Sequence, residues 1–215
     1  MLFELDYPQA VPARLDPARS TLIVIDMEKD SCLPGGAQYM GPRIEPVIAN
    51  IRGLLDRFRG AGAKVIHFQS VRKPDALEFT IWGTKPRKLE GSWGAEFVPE
   101  LEPLPGEPVI VKYSHDCFNR TRLEAVLSEL DIRPGVDHVV ITGIAANSCV
   151  SCAISGFSCR DYHVWVAMDG CASGTDEQEI LAYWRFTGAG SYNVQFTRSD
   201  LVALATAAQV SAAAV

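Results

Sequence analysis

The segment Thr21-Leu-Ile-Val-Ile25 is a continuous apolar run. A strand without polar alternation has both faces covered, which is the situation of a sheet held between layers of helices. The rest of the chain keeps to an alternation of strands and helices. Ile44, Val47, Ile48, Ile51, Leu54, Leu55 and Phe58 form one helical stripe within Ile44 to Ala61, and Gly60-Ala-Gly62 ends it. Lys64 to Phe68 reads as the second strand and Pro108 to Val111 as the third. Thr121 to Leu130 reads as a helix opened by a Thr121/Glu124 capping box. Val136 to Ile141 is a fourth strand, Ser148 to Cys159 a helix, and His163 to Ala167 a fifth strand. Glu177 to Thr187 follows as a helix, Val194 to Phe196 as a short sixth strand, and Leu201 to Ala208 as a closing helix. The expected class is α/β: a three-layer α/β/α, Rossmann-like domain over residues 1–215 with a mostly parallel five- or six-stranded sheet.

One stretch breaks the rhythm. Residues 71–108 carry Pro74, Pro86, Pro99, Pro103, Pro105 and Pro108 together with Trp82 and Trp93. So long a segment without clear periodicity reads as an inserted lid, a substrate-contacting loop or an oligomer contact. Its basic residues Arg72, Lys73, Lys85, Arg87 and Lys88 either attract a carboxylate on the substrate or form a solvated face, and the solvated face is the favoured reading. The remaining composition narrows the partners. Lys+Arg is 20 against Asp+Glu 26, a net charge of -6, which argues against nucleic acid and anionic membrane. Val139 to Ile154, the longest apolar stretch, is interrupted by Thr142, Gly143, Asn147 and Ser148. The N-terminus lacks the pattern of a secretory signal, so the expected location is the cytoplasm. There the six cysteines are expected reduced and mostly buried.

In open parallel sheets ligands sit beyond the carboxyl ends of the strands. Asp26 ends the first strand, Lys112 ends the third, and Cys149 follows the fourth at a helix start. On neighbouring strands these side chains would meet. A thiol at a helix N-terminus is favoured as thiolate, and a nearby ammonium favours it further. An aspartate can take the thiol proton and later deliver it to a leaving group. Each residue alone has a plainer reading: a turn, a solvated charge, a packed cysteine. The three together at successive strand ends weaken that reading.

The segments TLIVIDMEKD (21–30), PVIVKYSHDCF (108–118), VVITGIAANSCVSCAI (139–154) and VWVAMDGCAS (164–173) resemble the isochorismatase-like cysteine hydrolase superfamily. The resemblance implies a catalytic triad of Asp26, Lys112 and Cys149. It also implies a cis peptide at Ile144-Ala145 and an oxyanion hole made by the Ala145 and Cys149 amides. Phe118 corresponds to an aromatic of the pocket wall, and Trp82, Trp93 and Asn147 join it as candidate substrate contacts. Where the family has Asp/Asn-Phe and Thr-Asp, this chain has Asp30-Ser31 and Ala146-Asn147. Isochorismatases proper lack the nucleophilic cysteine, so Cys149 points to attack at a C–N bond of a small amide, lactam or ureido compound. Metal-dependent nicotinamidases carry an aspartate and two close histidines after the second strand. Gln69-Ser-Val-Arg-Lys-Pro offers no such set, so no metal or cofactor is expected. The resemblance also implies a homodimer or homotetramer.

Two rival readings accompany this one. Cys149-Val-Ser-Cys152 is a C-x-x-C at a helix start, the arrangement of a thiol redox protein. A member of the family that only binds a small ligand is the other.

Overall fold

A computed structural model describes residues 6–187 and 193–205. In chain order the strands are β1 (Ala13–Leu15), β2 (Ser20–Ile25), β3 (Lys64–Ser70), β4 (Val109–Lys112), β5 (His138–Ile144), β6 (His163–Ala172), β7 (Val194–Thr197) and β8 (Val202–Leu204). The helices are α1 (Lys29–Cys32), α2 (Ile44–Gly60), α3 (Leu77–Thr80), α4 (Leu123–Glu129), α5 (Ser151–Ser158) and α6 (Asp176–Trp184). Six strands form one sheet in the order β4-β3-β2-β5-β6-β7, and every pairing is parallel. Among the described residues no helix is long and apolar enough to cross a membrane.

The period of two along each strand divides the core. Leu22 and Val24 of β2 join Val65, Val140 and Trp165 on one face, where the stripe of α2 from Ile44 to Phe58 covers them. Ile23 and Ile25 point the other way, into a cluster with Ile66, Phe68, Val139, Ile141 and Val166 that α4 and α5 cover through Leu123, Val126, Ile154 and Phe157. Sandwiching by helices on both faces is what the unbroken apolar strand demanded.

Three expectations change. The closing helix at Leu201 to Ala208 is not what forms at its start. Val202–Leu204 is the strand β8, paired in parallel with β1 in a separate two-stranded sheet, and residues 206–208 lie outside the described residues. Both strands are too short to show periodicity. The Thr121/Glu124 capping box does not form either. The Leu123 N–H donates to Thr121 Oγ1, and the Glu124 carboxylate pairs with Arg160 instead. Residues 71–108 are also more structured than a bare loop. Arg72 bridges to Leu89 and Glu28 to Phe97, which ties the segment back onto the ends of β2 and β3.

Gly143 shows how tightly the sheet closes near its carboxyl edge. It sits at a register shift between β5 and β6 with φ +113°, and a Cβ there would lie 2.0 Å from the Ile25 oxygen. Only glycine fits both demands. Gly143→Ala is therefore expected to lower unfolding free energy in urea by about 3 kcal/mol or more, from strain and overpacking together. A loss under about 1 kcal/mol would show that this junction relaxes freely.

Candidate active site

From β2 the chain builds outward through β3 to β4; from β5 it builds the opposite way through β6 to β7. A crevice opens where the direction reverses, beyond the carboxyl ends of β2 and β5. Asp26 is the first residue after β2 and holds a left-handed φ of +56°, uncommon for a residue other than glycine. Cys149 lies in a π-helical turn, Ala146–Val150, that leads from β5 into α5. Such turns recur at functional sites. The peptide Ile144-Ala145 just before it is cis.

Lys112 comes from a less direct position. The sequence expectation has the three side chains meet if their strands are neighbours, but β3 lies between β2 and β4. The long lysine stem spans that gap. Its Nζ donates to Asp26 Oδ2 at 2.7 Å, to the Ser114 carbonyl at 3.1 Å and to Cys149 Sγ at 3.2 Å. Lys112 is 0% exposed, Asp26 2% and Cys149 5%. The other carboxylate oxygen, Asp26 Oδ1, is buried without a hydrogen-bond partner among the described residues.

The electrostatics differ from the expectation of a stabilised thiolate. Burial pushes the Cys149 thiol up to about 12, and the Asp26 charge adds to the rise, while Lys112 opposes it without prevailing. Burial works against the charge on Lys112 too, but Asp26 and Cys149 outweigh it and hold the ammonium well above the usual lysine range. The resting arrangement is thus a neutral thiol beside a buried Asp26–Lys112 ion pair. The Ala145 N–H takes no hydrogen-bond partner among the described residues, whereas the Ala145 carbonyl accepts from Ser148 at 3.0 Å and Val150 at 3.2 Å.

Sequence reasoning did not single out His115, and it favoured a solvated face for Arg72 and Lys88. His115 Nδ1 stands 3.2 Å from Cys149 Sγ, and burial followed by the charges of Lys112 and Arg72 pushes its pKa below the usual histidine value. The Lys88 ammonium pairs with Glu28 at 2.8 Å; both are buried. Burial pushes Glu28 up to about 7, Lys88 drawing it back and Asp26 adding to the rise. Arg72 is buried as well. Lys88 and Arg72 therefore correct the reading of the basic segment as a solvated face, whereas Lys73 and Lys85 are exposed as that reading expects. The signal for His115 was only its place three residues after Lys112. Nothing local marked Arg72 or Lys88, since their burial depends on the fold-back of residues 71–108.

A cleft of about 450 Å³ opens on these groups and is lined by Asp26, Arg72, Lys88, His115, Ala145 and Cys149 among others. Asn147 lines it, and Ser173 fixes that residue at both ends: its Oγ accepts the Asn147 N–H and donates to Oδ1. The three aromatic candidates lie elsewhere. Phe118 packs edge-on against Phe157 and carries the Arg160 guanidinium over its ring, because Gly156 opens the surface of α5 to it. Trp93 is 47% exposed with Lys29 near its face. Trp82 is 74% exposed and lines an adjoining groove, which shares His115 and Arg72 with the cleft. Among the described residues no group of three or more His, Cys, Asp or Glu is placed to hold a metal ion.

Because burial holds Cys149 protonated, its alkylation by iodoacetamide, followed at the Cys149 peptide by mass spectrometry, is expected to accelerate about tenfold per pH unit from about pH 6.5 to 9.5 without a plateau. A plateau near pH 7 would show an already ionised thiol.

Comparison with known proteins supports the same site-bearing fold. An isochorismatase-like hydrolase from Alkaliphilus metalliredigens is 25% identical with a TM-score of 0.74, over 85% of this chain and 96% of that one. N-carbamoylsarcosine amidase from Thermoplasma acidophilum is 25% identical with a TM-score of 0.71, over 85% and 97%. The nicotinamidase of Bacillus subtilis, at 21% identity and a TM-score of 0.74 over 84% and 99%, shares the fold. The isochorismatase domain model matches residues 20–197, which hold the whole six-stranded sheet and all three side chains at its crevice; the chain belongs to the isochorismatase family.

Proposed function

We propose that this protein is a cysteine hydrolase that cleaves a C–N bond of a small amide, lactam or ureido compound through a thioester on Cys149. The observation that carries the reading is the buried Lys112 ammonium bonded at once to the Asp26 carboxylate and the Cys149 sulfur, two groups that line an open cleft.

The proton inventory gives each residue a task. Asp26 takes the thiol proton as Cys149 sulfur attacks the carbonyl carbon. Lys112 stays charged throughout and offsets the negative charge as it passes from Asp26 to sulfur. The oxyanion of the tetrahedral intermediate accepts from the Ala145 and Cys149 amides, and removal of one such donor costs roughly 3–4 kcal/mol. The C–N bond then breaks and Asp26 returns the proton to the departing nitrogen. Asp26 next takes a proton from water, which attacks the thioester. The S–C bond breaks, the carboxylic acid leaves, and sulfur recovers its proton. A high resting thiol pKa suits this sequence, because transfer to Asp26 is needed only when an acyl carbon is in place. Residues 71–108 contribute to the substrate wall through Arg72, Arg87 and Lys88.

The redox reading finds less support. Cys152 is absent from the lining of the cleft, and burial raises both its thiol and that of Cys149, opposite to the depressed thiols of C-x-x-C oxidoreductases.

A nitrogen-release screen over carboxamides, ureido and carbamoyl compounds, with lactam opening followed by mass spectrometry, tests the proposal. Hydrolysis is expected in the wild type and absent in Cys149→Ala. In Asp26→Asn, kcat is expected to fall by about 10²–10⁴-fold. Turnover that persists in Cys149→Ala would reject the triad.

A further inference from the structure

We infer that the substrate carries a carboxylate, held in the cleft by Arg72, Arg87 and Lys88 while its C–N bond faces Cys149. This inference rests on Cys149 being the nucleophile and adds the class of compound it attacks.

The charge distribution is the first observation. The chain as a whole carries a net charge of -6, yet three cations and a single carboxylate line this cleft. That carboxylate, Asp26, is already bonded to Lys112. Long cationic side chains are rarely buried unless something compensates them. Here the compensating acids lie outside the cleft lining. Glu78 is shared, one oxygen bonded to Arg72 Nε and the other to Arg87 at 2.5 Å. Glu28 pairs with Lys88. Glu78, Glu28 and Asp30 match the three cations in formal charge, but none of these acids lines the cleft, so the cationic side chains are what a ligand meets there. The two Asp30 oxygens accept the backbone N–H groups of Ala37 and Lys88, so this acid is engaged away from the cationic side chains.

The second observation is that the donors are fixed before any ligand arrives. The Arg72 N–H donates to the Lys88 carbonyl at 2.9 Å, and the Glu90 N–H donates to the Arg72 carbonyl at 3.0 Å. Arg72 Nη1 donates to Ser70 Oγ and to the Val71 carbonyl. Its Nη2 takes no partner among the described residues, which leaves a guanidinium donor to spare. Preset charged donors of this kind bind a carboxylate with little ordering cost. A cleft of about 450 Å³ holds a compact molecule, so the carboxylate and the scissile bond would stand only a few atoms apart.

Paired thiol reagents test this even while the substrate is unidentified. Iodoacetate and iodoacetamide differ in charge and form the same S–C bond with loss of iodide. Their relative rates at the Cys149 peptide are compared with their relative rates at a free small-molecule thiol. The expected iodoacetate preference at Cys149 exceeds that of the free thiol on the order of tenfold, the effect of cations that line a partly screened cleft while their partner acids do not. The preference is expected to shrink as salt is raised. Arg87→Gln and Lys88→Met are each expected to slow iodoacetate more than iodoacetamide, with circular dichroism used to verify folding. The wild-type ratio needs no variant and stands if either fails to fold. A Cys149 that reacts with iodoacetamide but shows no excess preference for iodoacetate would overturn the carboxylate site and leave the hydrolase reading intact. A Cys149 that stays inert to both reagents even at about pH 9.5, where its ionised fraction has risen by about a thousandfold over pH 6.5, would overturn the nucleophile reading and this inference with it.

Discussion

A lysine ammonium withdrawn from water between a carboxylate and a thiol is expensive to hold, and much of this structure is arranged to hold it. Lys112 is fully buried, bonded to Asp26, Cys149 and the Ser114 carbonyl. Removal of either charged partner from a buried pair leaves an uncompensated ion, typically at a cost of about 3–5 kcal/mol. The pair therefore requires both ends to be placed by rigid elements. Asp26 is fixed by the end of a central strand and by its N–H, which donates to the Phe68 carbonyl at 3.1 Å. Lys112 is fixed by β4, in register with Ser70 across from it. Parallel strands bring the three side chains to one edge; no local segment of the chain could.

A second layer of fixation surrounds that pair. Asp30, a buried side chain, accepts the N–H groups of Ala37, in the turn after α1, and of Lys88, far along the chain. Gly94 packs so closely that a Cβ would lie 2.2 Å from the Asp30 carboxylate. One short acidic side chain thereby joins the segment after β2 to the stretch from Lys88 to Gly94. The positions of Arg72 and Lys88 follow from this junction, and so does the charge presented to a ligand. The fold links a stretch that looks irregular in one dimension to the chemistry at the centre.

How much of this the sequence revealed depends on the range of the interactions involved. Strands such as Thr21–Ile25 and the stripe of α2 are legible because burial on two faces or on one leaves a direct pattern in consecutive residues. Asp26, Lys112 and Cys149 are legible as strand-end residues for the same reason, and the family motifs around them sharpen the assignment. The pairing of β1 with β8 is not legible, since each strand has three residues and its partner lies at the other end of the chain. Phe118 misleads because the opening that receives it is Gly156, on another element. Arg72 and Lys88 look like surface charges until Glu78, Glu28 and Asp30 are seen around them. His115 gains meaning only from its 3.2 Å approach to Cys149.

The central claim is that Cys149 is acylated during turnover. Its most direct test is intact-protein mass spectrometry of enzyme quenched in acid within its first turnovers on an amide found to be hydrolysed, with the adduct located by peptide mapping. The expected result is a mass increase equal to the acyl portion of the substrate, on the peptide that contains Cys149 and labile to hydroxylamine. Rapid substrate turnover with the adduct on another residue, or with no adduct even when deacylation is slowed at low pH, would contradict it.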